Sequence, residues 1–134
     1  MSWSSASNRR DLESRLRRIG SQEDAEIDIA QAALLLAALD RPQLGLERYY
    51  HHLSLLERDV ADIAAKEGAE TSLEQRVAVL NAVLVDRYGY QGDNETYDDL
   101  MNANLMRVID RRRGLPVALG ILYLHAARAQ GWEI

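Results

Sequence analysis

The sequence predicts an all-α chain of about five to six helices packed as a bundle. Leucine and alanine contribute 20 and 18 of the 134 residues, against 7 valines and 7 isoleucines. Leucine and alanine lose little side-chain freedom in a helix, whereas β-branched residues fit a strand better. Apolar residues also recur three and four apart along most of the chain, and this spacing indicates helices. The length suits one domain.

The first two helices are predicted behind a frayed, serine-rich tail at residues 1–7. Residues 8–19 form a short charged helix that stops at a glycine. Ser21 and Asp24 then have the spacing of a capping box that opens a second helix. This helix reaches Leu39 and should be buried on several faces, because it is apolar almost all round.

A third helix is predicted to have Pro42 in its first turn, where the missing N–H of proline costs nothing. Its core stripe is Leu46, Tyr49, Leu53, Leu56, Val60 and Ile63. Thr71 and Glu74 form a second capping box, which opens a fourth helix closed by Gly89. The apolar residues expected to bury this helix are Leu73, Val77, Leu80 and Leu84.

An irregular stretch from Tyr90 to Asp99 separates these helices from the last two. The fifth helix is predicted over 102–113, ending in three arginines and Gly114. Pro116 begins a sixth helix, expected to be the most buried, that runs to about Gln130. Trp132 then has the alternation of a strand start. The single domain therefore divides into N-terminal helices, 8–70, and core helices, 71–134.

Charge and composition exclude several functional classes. The net charge of −5 is that of a protein without nucleic-acid partners, because phosphate binding needs a basic face. The longest apolar run is too short to span a bilayer, and the N-terminus lacks the apolar segment of a signal peptide, so a cytoplasmic protein is predicted. The chain has no cysteine, which removes disulfides and thiol nucleophiles.

Few polar residues suggest chemistry. His51 and His52 lack a third metal ligand within sequence reach, and the acidic loop from Asp93 does not fit an EF-hand, so neither a metal nor a cofactor is predicted. His125, on the apolar sixth helix, is either a core histidine or a base. The arginines at 111–113 could hold a phosphate, although cations are usual in a last helical turn.

The start of the sixth helix, 114–118, is the most informative segment. A buried helix beginning after a loop presents free N–H groups, and papain-like folds place a nucleophile there to lower its pKa. Here the first turn holds only proline, valine, alanine, leucine and glycine, and no serine, threonine or cysteine follows Thr96. Covalent acyl transfer from this helix is therefore excluded, and no catalytic residue is assigned.

Residues from Arg76 to Trp132 resemble the SirB-type proteins of the transglutaminase-like superfamily. The resemblance rests on Arg-Val-Ala-Val-Leu-Asn, Tyr-Gly-Tyr-Gln-Gly-Asp, Tyr-Asp-Asp-Leu and Arg-Arg-Arg-Gly-Leu-Pro, which occur in the family's order. The signature positions are Asn81, Tyr97, Asp99, Asn102, Asn104, Arg112, Arg113, Gly114 and Pro116.

The resemblance implies that these helices are the helical portion of a papain-like α+β fold. It also implies that Ala118 occupies the nucleophile position on the sixth helix, and that the family's Pro-Gly-His-Phe segment would lie beyond Ile134. Three functions follow as hypotheses. The first is a catalytically inactive module that acts in regulation or in protein binding, through a partner or self-association. The second is a truncated part of a transglutaminase- or protease-like enzyme whose remaining active-site residues lie beyond Ile134, and which uses Asn102, Asn104 or His125 without covalent catalysis. The third is a self-contained helical interaction domain.

Overall fold

The computed structural model describes residues 3–23, 27–67, 72–93 and 104–132. This part of the chain is a helical bundle, as predicted, with two short strands in addition. The helices are α1 Trp3–Gly20, α2 Ile29–Asp40, α3 Glu47–Glu67, α4 Leu73–Asn81, α5 Leu105–Arg111 and α6 Pro116–Ala129. The strands are β1 Gln91–Gly92 and β2 Arg113–Gly114.

Helix α1 packs against α2, and Arg9 near the start of α1 donates a hydrogen bond of 3.1 Å to the Leu39 carbonyl near the end of α2. Helix α1 includes residues 3–7, where the sequence predicts a frayed tail. The predicted capping box is wrong. The Ser21 hydroxyl bonds back to the Arg18 carbonyl at 2.7 Å and so belongs to the end of α1, while Asp24 lies outside the described residues.

Asp28 caps α2 instead, since its carboxylate accepts a hydrogen bond of 3.0 Å from the Gln31 N–H. The expected burial of α2 on several faces is confirmed only in part, because its buried residues cover one broad side and leave Leu36 57% exposed. The buried residues are Ala30, Leu34, Leu35, Ala37 and Ala38.

Helix α3 begins at Glu47, so the prediction that Pro42 lies in its first turn is wrong. Pro42 lies in a turn between α2 and α3 that the Leu44 N–H closes on the Arg41 carbonyl at 3.0 Å. The predicted core stripe of α3 is confirmed, with its central residues buried and both ends packed against the core. The buried members are Tyr49, Leu53, Leu56 and Val60.

Helix α4 is capped by Ser72 rather than Thr71, which lies outside the described residues. It continues as a π-helical segment, Ala82–Arg87. Gly89 follows two residues later, and its φ of 74° explains the glycine there. The predicted stripe is half wrong. Leu80 and Leu84 are buried, with Val79 and Val83, but Leu73 and Val77 are 61% and 42% exposed. This segment carries more apolar residues than one face can bury, so the sequence pattern alone does not select the core face.

Strands β1 and β2 pair in parallel, with Gly92 opposite Gly114. The predicted extent of the fifth helix is wrong at both ends. Asn104 is the N-cap of α5, and Arg112 ends it in the left-handed region at φ 60°. Gly114 is therefore a strand residue, not the helix stop.

Pro116 occupies the first turn of α6 and Gly131 follows its end with φ 77°, both as predicted. The expectation that α6 is the most buried helix is wrong. Four of its 14 residues are buried, against five of 12 in α2. The buried residues form essentially one stripe, because the described elements pack against one side of α6 and leave Val117 66% exposed.

Trp132 is buried, but it is not in a strand. Its N–H bonds to the Ala127 carbonyl at 3.1 Å, so it ends the helix rather than starting a sheet. In the described part of the chain, every helix is either too short or too polar to cross a bilayer.

Candidate functional site

The start of α6 is tied to the rest of the fold by the strand pair. The Gln91 N–H donates to the Arg112 carbonyl at 3.0 Å, and the Asp93 N–H donates to the Gly114 carbonyl at 3.3 Å. These two bonds hold the backbone of residues 112–114, which lead into α6. Gly114 contributes its carbonyl to this strand pair, and Pro116 lies in the first turn of α6.

Ala118 is 2% exposed and belongs to the hydrophobic core. Helix α6 has no side-chain cap, since its N-cap is Leu115. The residue that the resemblance would place at a nucleophile position is therefore a packed alanine in the core.

Arg112 stands at the centre of a buried polar cluster. Its Nη1 donates to the Tyr90 hydroxyl and to His52 Nε2, each at 2.9 Å. The Tyr90 hydroxyl lies 2.7 Å from the same ring nitrogen. The guanidinium also lies over the Tyr88 and Tyr90 rings, at 5.5 and 5.2 Å from their centroids. We refer to His52, Tyr88, Tyr90 and Arg112 as the Arg112 cluster.

His52 is neutral in this cluster. Guanidinium N–H groups only donate, so the Nε2 that faces Arg112 is the unprotonated nitrogen. Burial, with the positive charges of Arg112 and His51, lowers the pKa of His52 to about 4. Burial also raises the pKa of Tyr90 to about 12, although the charge and hydrogen bond of Arg112 oppose that rise. Both rings are therefore uncharged at neutral pH.

Tyr88 links this cluster to a buried carboxylate on α3. Its ring meets His52 edge-on at 5.3 Å, and its hydroxyl donates to Asp59. Burial raises the pKa of Asp59, but the hydrogen bond from Tyr88 and the charges of Arg87 and Arg58 outweigh that effect, so the pKa lies below its usual value. The site thus joins α3, the end of the π-helical segment, and β1–β2.

The three consecutive arginines have different environments. Arg111 forms an ion pair of 2.9 Å with the buried Asp93, and Arg112 is in the cluster. Arg113 is exposed. The arginines therefore do not form one phosphate grip.

The other signature residues are structural or lie outside the described residues. Asn104 is buried; its side chain accepts from the Arg107 N–H at 3.2 Å and donates to the Ala37 carbonyl at 3.3 Å. Asn81 accepts a 2.7 Å hydrogen bond from the Tyr123 hydroxyl. Tyr97, Asp99 and Asn102 lie outside the described residues.

His125 lies apart from the Arg112 cluster, in a groove of about 700 Å³ between the start of α2 and α6. Its Nε2 is 3.1 Å from a Glu57 carboxylate oxygen. His51 is exposed, so the adjacent histidines His51 and His52 have different environments. Among the described residues, no three acidic or histidine side chains are grouped to hold a metal ion.

Reasoning from the sequence missed the cluster. The sequence offers His52 only as a weak metal-ligand candidate, and Tyr88 and Tyr90 only as part of the Tyr-Gly-Tyr signature. The signal available was that signature itself, Tyr-Gly-Tyr, together with the arginine run. The contacts join residues 22 to 60 positions apart, which no local pattern reveals.

Comparison with known proteins places the site in a family context. A UPF0162 protein of Xylella fastidiosa is 28% identical over 114 residues, and one of Vibrio cholerae is 29% identical over 108 residues. These matches cover 84% and 81% of this chain. The chain spans 39% of the length of either relative.

A second group of relatives is eukaryotic. The human F-box only protein 21 is 33% identical over 63 residues, which are 46% of this chain and 10% of that protein. No solved structure matches the chain. The family described as the transglutaminase-like superfamily matches residues 47–134, which include α3 to α6 and the Arg112 cluster. The chain therefore belongs to the transglutaminase-like superfamily.

Proposed function

We propose that this chain is a catalytically inactive transglutaminase-like module, of the SirB-type branch, that acts by non-covalent protein binding. One observation carries the proposal: Ala118, at the position expected of a nucleophile, is a buried core residue. An alanine methyl group cannot attack an acyl carbon, and its burial leaves no room for a substrate at that position. The rest of the first turn of α6 has no hydroxyl or thiol group either.

The surface of α4 supports a binding role. Leu73 and Val77, one turn apart on α4, are 61% and 42% exposed, and Val85 on the π-helical segment that follows is 44% exposed. Exposed apolar side chains that share a helix face are typical of surfaces that another protein covers. The partner is a different protein or a second copy of the chain.

The catalytic half of the proposal is tested by amine incorporation into a glutamine-containing protein and by hydrolysis of peptide amides. We expect the purified chain to show no turnover above a heat-denatured sample. Turnover that purifies with the chain and disappears in an Ala118→Val variant would contradict the proposal.

The binding half is tested by sedimentation over a range of concentrations. We expect self-association, or association with a co-purifying protein, that a Leu73→Gln/Val77→Gln variant loses. The control is Leu36→Gln, which removes a leucine that is 57% exposed on α2. A chain that stays monomeric and partner-free, or equal losses in both variants, would contradict a binding role for α4.

A second candidate function is a hydrolase that uses His125 as a general base. The contact of 3.1 Å between His125 and Glu57, in a groove of about 700 Å³, favours it, since a carboxylate that orients a histidine is a common catalytic pair. This candidate predicts amide turnover that His125→Gln abolishes and Ala118→Val leaves unchanged.

A further inference from the structure

The Arg112 cluster opens on one side into a groove of about 300 Å³ between α3 and the end of α5. Arg48, His51 and His52 line it from α3, and Asp110 and Arg112 line it from the other side. We name this groove the arginine cleft. Its volume is at the lower end of the range for ligand sites, roughly 300–1,000 Å³, and suits one side chain rather than a cofactor.

Arg112 is held in place before any ligand arrives. Its Nη1 is fixed by His52 and Tyr90, and its plane lies over two aromatic rings. Among the described residues, Nη1 is the only nitrogen of this side chain with a hydrogen-bond partner, so Nε and Nη2 keep their N–H groups. A guanidinium with a fixed orientation and a free edge loses little entropy when it binds a planar anion.

The charges around the cleft leave a positive balance. Asp110 is the acid of the cleft, and it is already bonded by Arg48 at 3.0 Å and by the Tyr49 hydroxyl at 2.9 Å, with Arg41 at 3.8 Å. Arg48 reaches Asp110 through Nη2 alone and is 66% exposed. His51 adds a further donor at the rim. Because Arg48 is paired with Asp110, the positive charge that remains in the cleft is that of Arg112.

We propose that the arginine cleft binds the carboxylate of an acidic side chain on a partner protein. The inference rests on the proposed function, because it names the chemistry of the partner. A carboxylate matches the planar edge of Arg112 and carries a single charge. A phosphate dianion fits less well, because the Asp110 carboxylate and the negative end of the α5 dipole both face the cleft.

The probe is a pair of short peptides, acetyl-Ala-Glu-Ala-amide and acetyl-Ala-Gln-Ala-amide, titrated into the ¹⁵N-labelled chain and followed by NMR. We expect saturable shifts at the Arg112 side chain and at β2 with the glutamate peptide. We expect the glutamine peptide to bind about tenfold more weakly, because it lacks the charge-assisted pair. Equal binding of the two peptides overturns the proposal.

Variants separate the cleft from general charge attraction. Arg112→Lys keeps the charge but loses the planar edge, and Arg48→Gln removes the exposed arginine opposite; each should weaken binding of the glutamate peptide severalfold. The matched control is Arg113→Gln, because Arg113 is exposed one residue away and does not line the cleft. If Arg112→Lys does not fold, Arg48→Gln against Arg113→Gln decides. Equal losses in these two variants overturn the proposal.

Competition between small anions and the glutamate peptide shows whether the cleft prefers a carboxylate or a phosphate. Acetate should displace the glutamate peptide at a lower concentration than inorganic phosphate does, and the reverse order overturns the carboxylate assignment. Failure of these titrations leaves the enzyme assays and the sedimentation of α4 variants unaffected, so it is distinguishable from failure of the proposed function.

Discussion

Two histidine regions of the molecule differ in ways that their local sequences do not indicate. His52 is 7% exposed and joined to Tyr90 and Arg112, and burial holds its pKa far below the usual range. His125, on the more apolar helix, is less completely buried and has a half-exposed glutamate beside it. The protonation state of a histidine is therefore set by partners that are distant along the chain, rather than by the apolar character of its own helix.

The largest expected difference between the two histidines is in how they make the free energy of unfolding depend on pH. Protonation of the buried His52 should destabilise the fold on acidification. The folded pKa of His52, about 4, is below the unfolded value near 6.5, so the unfolded chain binds more protons between these pH values. Stability should fall by up to about 3 kcal/mol as the pH drops from 7 to 4.

Urea unfolding at a series of pH values measures this slope. A His52→Gln variant should lose the part of the slope between pH 6.5 and 4, and His125→Gln should retain it. If His125→Gln flattens the profile instead, the assignment of the buried histidine is wrong. The pKa of Asp59 is lowered, so protonation of Asp59 contributes little to the change in stability between pH 6.5 and 4.

A smaller effect is expected from removing the arginine of the cluster. Arg112→Ala loses two hydrogen bonds and two ring contacts, and should lower the free energy of unfolding by about 2–3 kcal/mol. Arg113→Ala removes an exposed neighbour and should change it by less than about 0.5 kcal/mol. Denaturant unfolding of the two variants checks the difference, and similar values would show that the cluster does not stabilise the fold.

The smallest effect is expected at the other histidine. His125→Ala removes a contact with a glutamate that is 40% exposed, and solvent screening limits such pairs to about 1 kcal/mol or less. Thermal unfolding in low and high salt measures it. A loss as large as that of Arg112→Ala would place His125 in the structural core and remove the contrast between the two regions.

The sequence predicted the helices well where one strong pattern dominated. The stripe of α3 from Tyr49 to Val60 and the proline start of α6 were both correct. Errors occurred where several residues offered the same local signal. The structure caps α2 with Asp28 rather than Ser21, and it buries Val79 rather than Leu73 on α4. Tertiary packing determines which residue caps a helix and which residue faces the core, and the spacing of residues along the chain does not predict that packing.

The candidate site was predicted only in part. The position of Ala118 at the start of α6 followed from the apolar helix and its proline. The Arg112 cluster did not, because its members lie on α3, at the end of α5 and in the segment after the π-helix, and a π-helical turn has no simple sequence signature. The left-handed conformation of Arg112 was likewise unexpected, since a non-glycine residue rarely adopts it.

We propose that the start of α6 is a packed structural junction rather than a reactive site. Because the chain has no cysteine, a single cysteine at this position reports its own accessibility. The measurement is the alkylation rate of an Ala118→Cys variant under native conditions, compared with Val117→Cys. We expect the thiol at 117 to react like a free thiol and the thiol at 118 to react only as fast as the chain opens. A thiol at 118 that reacts faster than the one at 117 would contradict the account.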